Sequence, residues 1–142
     1  MQTFDTSYSY DRFSFKLGLN ELDTLINELP NSGIIALRGN LASGKTTLSK
    51  AIINKNNPAI VTSPTFSIMQ DYGQIYHYDI YQGGFEAIKR NGLYENLYED
   101  GLHIVEWADD ELLKFANKNG LDICIVDIIV SGNERVYEVS YA

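Results

Sequence analysis

One contiguous stretch carries the strongest chemical signal in this chain. Gly39-Asn40-Leu41-Ala42-Ser43-Gly44-Lys45-Thr46 fits the pattern G-x-x-x-x-G-K-[ST]. A loop of this kind wraps backbone N–H groups around a nucleotide phosphate, and its glycines permit the necessary backbone and close approach. A helix starting at the loop points its positive dipole end at the anion. Lys45 adds a point charge for the β- and γ-phosphates. The Thr46 hydroxyl is a hard oxygen suited to magnesium. A chance match would lack the surrounding pattern, and here the pattern is present: Ile34-Ile35-Ala36-Leu37 reads as a buried strand before the loop. Leu48, Ala51 and Ile52 read as the inner face of a helix after it, running to about Asn54. Together these point to a nucleoside triphosphate site.

Three further places could serve that site. Glu106 closes the apolar run Leu102–Val105. An acid at the end of a neighbouring strand either completes a magnesium shell or is a solvated strand-end carboxylate. Asp79 lies between Tyr78 and Tyr81, as a functional acid or as an edge-strand acid facing water. Ser63-Pro64-Thr65 is either a loop whose hydroxyls reach a γ-phosphate or an ordinary proline turn. Trp107, the sole tryptophan, suits half-buried packing or stacking on a base or partner. His77 and His103 lack metal-ligand spacing and read as structural, with His77 the better candidate for a role because Asp79 is near. Cys124 reads as inert core.

Elements must position these groups. Phe13–Leu17 alternates as a half-buried strand. Asn20 predicts an N-cap for a helix that buries Leu22, Leu25, Ile26 and Leu29 and closes at Pro30. Phe66–Tyr72 and Ile75–Tyr81 predict a hairpin turning at Gly73-Gln74. Short helices are expected between Gly83 and Asp100. Asp109 and Asp110 start a helix with Leu112, Leu113 and Ala116 inside, and Gly120 ends it. Ile123–Val130 and Val136–Ser140 predict a second hairpin across Gly132–Glu134. Strands interleaved with helices indicate an α/β fold with a mixed sheet, a parallel core plus antiparallel hairpins, flanked by helices. A single domain over residues 1–142 is expected, since no repeat or linker interrupts the chain.

Composition narrows the function. Eleven Lys+Arg against nineteen Asp+Glu leave a net charge of −8, a poor basis for gripping a nucleic-acid backbone or an anionic membrane unaided. One cysteine gives no intramolecular disulfide framework, suits a reducing cytoplasm, and makes a disulfide-linked partner unexpected. No signal peptide or membrane span is legible.

The motifs also occur in a familiar order. GNLASGKTT at Gly39–Thr47, SPTF at Ser63–Phe66, HYDIYQ at His77–Gln82 and EW at Glu106–Trp107 resemble the TsaE (YjeE/YdiB) family of bacterial tRNA threonylcarbamoyladenosine biosynthesis ATPases. The likeness runs from Asn20 through Arg135. It implies a P-loop NTPase-like fold, ATP/ADP with Mg2+, and metal contacts from Thr46 and Glu106. It implies roles for Thr65 and Asp79 near the γ-phosphate, a nucleotide-side place for Trp107, and nucleoside-side places for Glu21 and Arg135. Partners resembling the TsaB–TsaD pair would carry the transfer chemistry and the tRNA contact. Lys45, Asp79, Thr65 and Glu106 are then the catalytic candidates. Asn40, Leu41, Ala42, Ser43, Gly44, Lys45, Thr46 and Thr47 form the nucleotide loop.

Departures from the family pattern stand at Asn40, Ala42-Ser43, Gln82 (usually Arg) and Ala108. Ala42 restricts the backbone unless its φ is negative. An ATPase subunit weakly active alone and activated by partners fits best. A small-molecule kinase would need cations around the transferring phosphoryl group, yet no Lys or Arg occurs between Lys55 and Lys89. A nucleotide-gated module without productive turnover is the remaining alternative. Arg12, Arg38, Arg90 or a partner residue would supply the transition-state cation.

Overall fold

The computed structural model describes residues 12–56 and 68–141. Among these described residues, seven strands form one sheet in the order β1-β7-β6-β2-β5-β4-β3: β1 (Arg12–Leu17), β2 (Gly33–Gly39), β3 (Met69–Asp71), β4 (Ile75–Asp79), β5 (Leu102–Glu106), β6 (Ile123–Ser131) and β7 (Glu134–Tyr141). The α-helices are α1 (Leu22–Ile26), α2 (Lys45–Asn56), α3 (Gly84–Arg90) and α4 (Asp110–Lys118). Strand β2 pairs in parallel with β5 and β6, and β4 pairs in parallel with β5. The β1–β7, β6–β7 and β3–β4 pairs are antiparallel. This is the mixed α/β sheet expected from the sequence.

Strand alternation sorts the side chains into two apolar layers. Ile35 and Leu37 of β2 join Leu25 and Ile26 of α1 and Leu48 and Ile52 of α2 on one face. Ile34 and Ala36 join Phe85 and Ile88 of α3 and Leu112 and Ala116 of α4 on the other. β2 is covered on both faces, which is why its run is continuously apolar. Among the described residues no helix is long and apolar enough to cross a membrane.

Local chemistry adjusts several boundaries. Asn20 is not an N-cap; it lies inside a 3₁₀ turn, Leu19–Glu21. Gly18 takes the capping place, where its N–H donates to Glu21 Oε1 at 2.8 Å. Helix α2 continues to Asn56, whose side-chain amide donates to the Ile52 carbonyl at 2.8 Å. Ala51 and Leu113 are half-buried at the edges of their layers. Strand β4 stops at Asp79 because its Oδ1 accepts from the Tyr81 N–H at 3.1 Å and turns the chain. The β3–β4 turn has φ of 80° at Gly73 and 62° at Gln74, the type I′ geometry that matches strand twist. Asp109 caps α4, accepting from the Leu112 N–H at 3.1 Å. Cys124 is buried, and burial pushes its thiol up to about 11 despite a bond from Tyr141. The beginning of the predicted Phe66–Tyr72 run lies outside the described residues.

A buried polar chain anchors the α3–α4 layer. His103 Nε2 donates to the Glu99 carbonyl at 2.8 Å, so its Nδ1 accepts the Tyr78 hydroxyl at 2.8 Å. That hydroxyl in turn accepts from Asn96 Nδ2 at 2.7 Å. The chain holds a second 3₁₀ turn, Tyr94–Tyr98, against β4 and β5. Burial lowers the His103 pKa below its ordinary 6.5, with the Glu99 carbonyl opposing. The unfolded chain therefore takes up this proton at higher pH than the folded one. The stability contribution is complete above pH 6.5 and is lost as pH falls toward the lower folded value. Urea unfolding from pH 7 to pH 5 is expected to show this decline, with a shallower slope in His103→Gln. An equal slope in that variant would contradict the assignment.

Candidate functional site

The loop between β2 and α2 is built by opposite demands on its two motif glycines. Gly39 pairs with Ile128 across the β2–β6 ladder. A Cβ there would meet Ser43 Oγ at 2.6 Å and the Ile128 carbonyl at 2.8 Å, so only glycine fits the space. Gly44 has open space around it but a φ of 109°, so only glycine fits the backbone. Ala42 has a φ of 63°. The left-handed conformation that the sequence makes unfavourable for alanine is therefore the one adopted.

Lys45 closes the loop on itself. Its Nζ donates to the carbonyls of Gly39 and Asn40, each at 2.8 Å, and to Ser43 Oγ at 3.3 Å. These acceptors match the three protons of an ammonium. Trp107 lies over it, with Nζ 3.6 Å from the ring centroid. Burial lowers the Lys45 pKa, partly offset by the charges of Glu106 and Asp79. From the other side, Arg135 Nε donates to the Ser43 carbonyl at 2.9 Å. Trp107 takes a φ of 65°, and its N–H donates to the Leu37 carbonyl at 3.0 Å. Its ring centroid is 4.6 Å from that of Tyr81.

Parallel pairing places the acids. Leu37 pairs with Glu106, and Glu106 pairs with Asp79. Residues two apart on a strand share a face, so His77 and Asp79 of β4 lie beside Glu106 on the α2 side. Glu106 is only 3% exposed. Its Oε1 accepts from Thr46 Oγ1 at 2.8 Å, and its Oε2 accepts from His77 Nε2 at 2.5 Å. Burial alone would raise this carboxyl. The bond and charge of His77, with bonds from Thr46 and Ser49, outweigh burial and hold it below the ordinary 4.5.

Two adjoining hollows result. One of about 290 Å³ is lined by residues 41–47, Glu106, Trp107 and Arg135. The other, of about 570 Å³, includes Thr46, Lys50, His77, Asp79, Tyr81 and Gln82. The structure thus gathers the loop with Glu106, Trp107 and Arg135, and places Asp79 in the adjoining hollow. Glu21 does not line either hollow; its carboxylate holds Gly18. Thr65 lies outside the described residues. Arg38, one of the candidate cations, is engaged elsewhere: it grips Asp127 through Nε at 2.8 Å and Nη2 at 3.1 Å, with Asp110 at 3.6 Å. His77, the better candidate of the two histidines for a role, holds the buried acid. The alternation H-Y-D, placing His77 on the face of Asp79, was the signal available.

Among the described residues no group of three or more His, Cys, Asp or Glu side chains could hold a metal. Thr46 and Glu106, two hard oxygen donors in contact beside the loop, fit a magnesium ion that takes its remaining ligands from nucleotide phosphates and water.

Comparison with known proteins accords with this arrangement. A family model described as "Threonylcarbamoyl adenosine biosynthesis protein TsaE" matches residues 18–134. A tRNA threonylcarbamoyladenosine biosynthesis protein TsaE from Aquifex aeolicus is 35% identical over 57% of this chain and 62% of its own length. Its namesake from Synechocystis is 32% identical over 60% of this chain and 60% of its own. The chain thus matches about three fifths of the length of these relatives. The crystal structure of Bacillus subtilis YdiB superposes with a TM-score of 0.65 at 20% identity, covering 94% of this chain and 88% of that one. The last likeness concerns the fold.

The strained loop residue gives a direct test. Ala42→Gly is expected to raise unfolding free energy by about 1 kcal/mol, since glycine relieves the left-handed strain. Urea denaturation measures it, and an unchanged or lowered midpoint would contradict a positive φ at this position.

Proposed function

The chain belongs to the TsaE family, and on that premise we propose that it is the ATP-hydrolysing subunit of the bacterial machinery that makes threonylcarbamoyladenosine next to the tRNA anticodon. The observation that carries this reading is the contact of Thr46 with Glu106 at 2.8 Å beside the Gly39–Thr46 loop. A phosphate-loop motif, a hydroxyl and a buried acid in contact support a site for a nucleotide with its metal.

In this reading the loop N–H groups and the start of α2 bind the β-phosphate. Lys45 exchanges loop carbonyls for phosphate oxygens. Magnesium, when bound, would neutralise charge on the phosphates, and Thr46 and Glu106 would hold it. Asp79, beside Glu106 in the sheet, orients the attacking water or couples loss of the γ-phosphate to movement. Thr65 senses the γ-phosphate. Trp107 and Arg135 border the nucleotide from the two sides of the loop. Hydrolysis then acts as a switch, ordering groups around the γ-phosphate and releasing them afterwards.

The net charge of −8 supports an indirect RNA role, because backbone binding depends on clustered cations. A TsaB–TsaD-like pair would hold the tRNA and carry out the transfer in the cytoplasm. This subunit would hydrolyse ATP slowly alone and faster with that pair.

Reconstitution tests the reading. With purified TsaB–TsaD-like partners, tRNA threonylcarbamoylation is expected to require both this protein and ATP. Modification that proceeds equally without it would sink the proposal. Lys45→Ala is expected to abolish ATP binding in calorimetry. Asp79→Ala is expected to bind ATP normally yet block modification; normal modification by that variant would instead favour gating by binding alone.

A further inference from the structure

We propose that His77 is a positioning residue for the metal-bound nucleotide, acting through Glu106; the inference rests on the nucleotide-site reading above. A glutamate carboxylate turns about a broad sp³–sp² torsion, so its own rotamer does not fix where its oxygens point. Its partners must do so. Here the oxygens are held from different elements, Oε1 by Thr46 on α2 and Oε2 by His77 on β4. A carboxylate only accepts, so Nε2 of His77 carries the proton.

The two contacts differ in what they can do once a metal arrives. Thr46 is itself a candidate ligand, and its hydroxyl would turn its lone pairs to the ion. Its proton stays free to be donated to Glu106, so this contact belongs to the ligand set itself. His77 is not a candidate ligand and is neither on the loop nor on the helix that receives the phosphates. It approaches from the strand that also carries Asp79 and borders the larger hollow. Its bond holds Oε2 from outside the candidate ligands and so fixes the orientation of the carboxylate. Ser49 also lies near the acid, but its one hydroxyl proton goes to the Lys45 carbonyl at 2.9 Å. His77 thus links the acid of β5 to the strand bearing Asp79. Partners of this kind commonly change metal affinity by about 10–100-fold.

Trp107 supplies the readout, being the sole tryptophan and lying over Lys45. Its fluorescence is followed as a non-hydrolysable ATP analogue is titrated, first with EDTA and then with increasing magnesium; calorimetry provides a second measurement. His77→Phe is expected to leave affinity in EDTA within about twofold and to raise the magnesium needed for half-saturation by about 10–100-fold. His77→Gln, whose amide nitrogen reaches the position of Nε2, is expected to restore most of the magnesium response. His77→Asn remains polar but is too short, and is expected to behave like His77→Phe.

Normal magnesium dependence in both His77→Phe and His77→Asn would overturn the proposal. Equal loss of binding with and without magnesium would overturn it too, by assigning His77 a general structural role. Failure of the unmodified protein to bind the analogue at all would instead sink the nucleotide-site reading, and this proposal with it.

Discussion

A buried carboxylate must be paired, and the site is arranged around that requirement. Glu106 is almost wholly enclosed at the end of a central strand, where an unpaired charge would cost several kcal/mol. Its partners come from two other elements, Thr46 at the start of α2 and His77 in the middle of β4. Meeting them requires β2, β5 and β4 to be adjacent and in one register. The same register lays Asp79 next to Glu106 and sets the phosphate loop at the end of β2. The continuous apolar runs of β2 and β5 provide the burial that makes this geometry rigid.

The loop is held in a conformation its residues would not choose alone. Ala42 takes left-handed backbone geometry, and Trp107 does the same after β5. Such conformations persist when surrounding contacts over-determine them. Here the contacts are identifiable: Lys45 binds three oxygens of the loop, Arg135 grips Ser43 from β7, and Trp107 is tied to Leu37. In the proposed function, phosphate binding exchanges some of these bonds. The loop is therefore preformed in shape while its lysine remains available for exchange, an arrangement suited to a switch.

Much of the fold was legible because its signals are local. Strand alternation, apolar runs and turn residues located nearly every described element, and Gly73-Gln74 marked its hairpin. The errors arose where neighbouring groups competed. Asn20 looked like a cap, but the Glu21 carboxylate satisfied Gly18 first and the helix began later. Asp79 ended a strand expected to reach Tyr81. Among the open candidates for a cation, Arg38 is engaged by Asp127 from another strand.

The sequence by itself determined the phosphate loop, the α/β class and the likeness to the family, since these rest on contiguous residues and short periodicities. Tertiary structure decided which distant groups touch. Thr46 and Glu106 are 60 positions apart, His77 and Glu106 are 29 apart, and Ser43 and Arg135 are 92 apart. No local pattern encodes those separations. They follow from strand order and register, which are set by burying two apolar faces at once. His77 could thus be placed on the same face as Asp79 from alternation alone, but only the pairing of β4 with β5 turned it toward a buried acid.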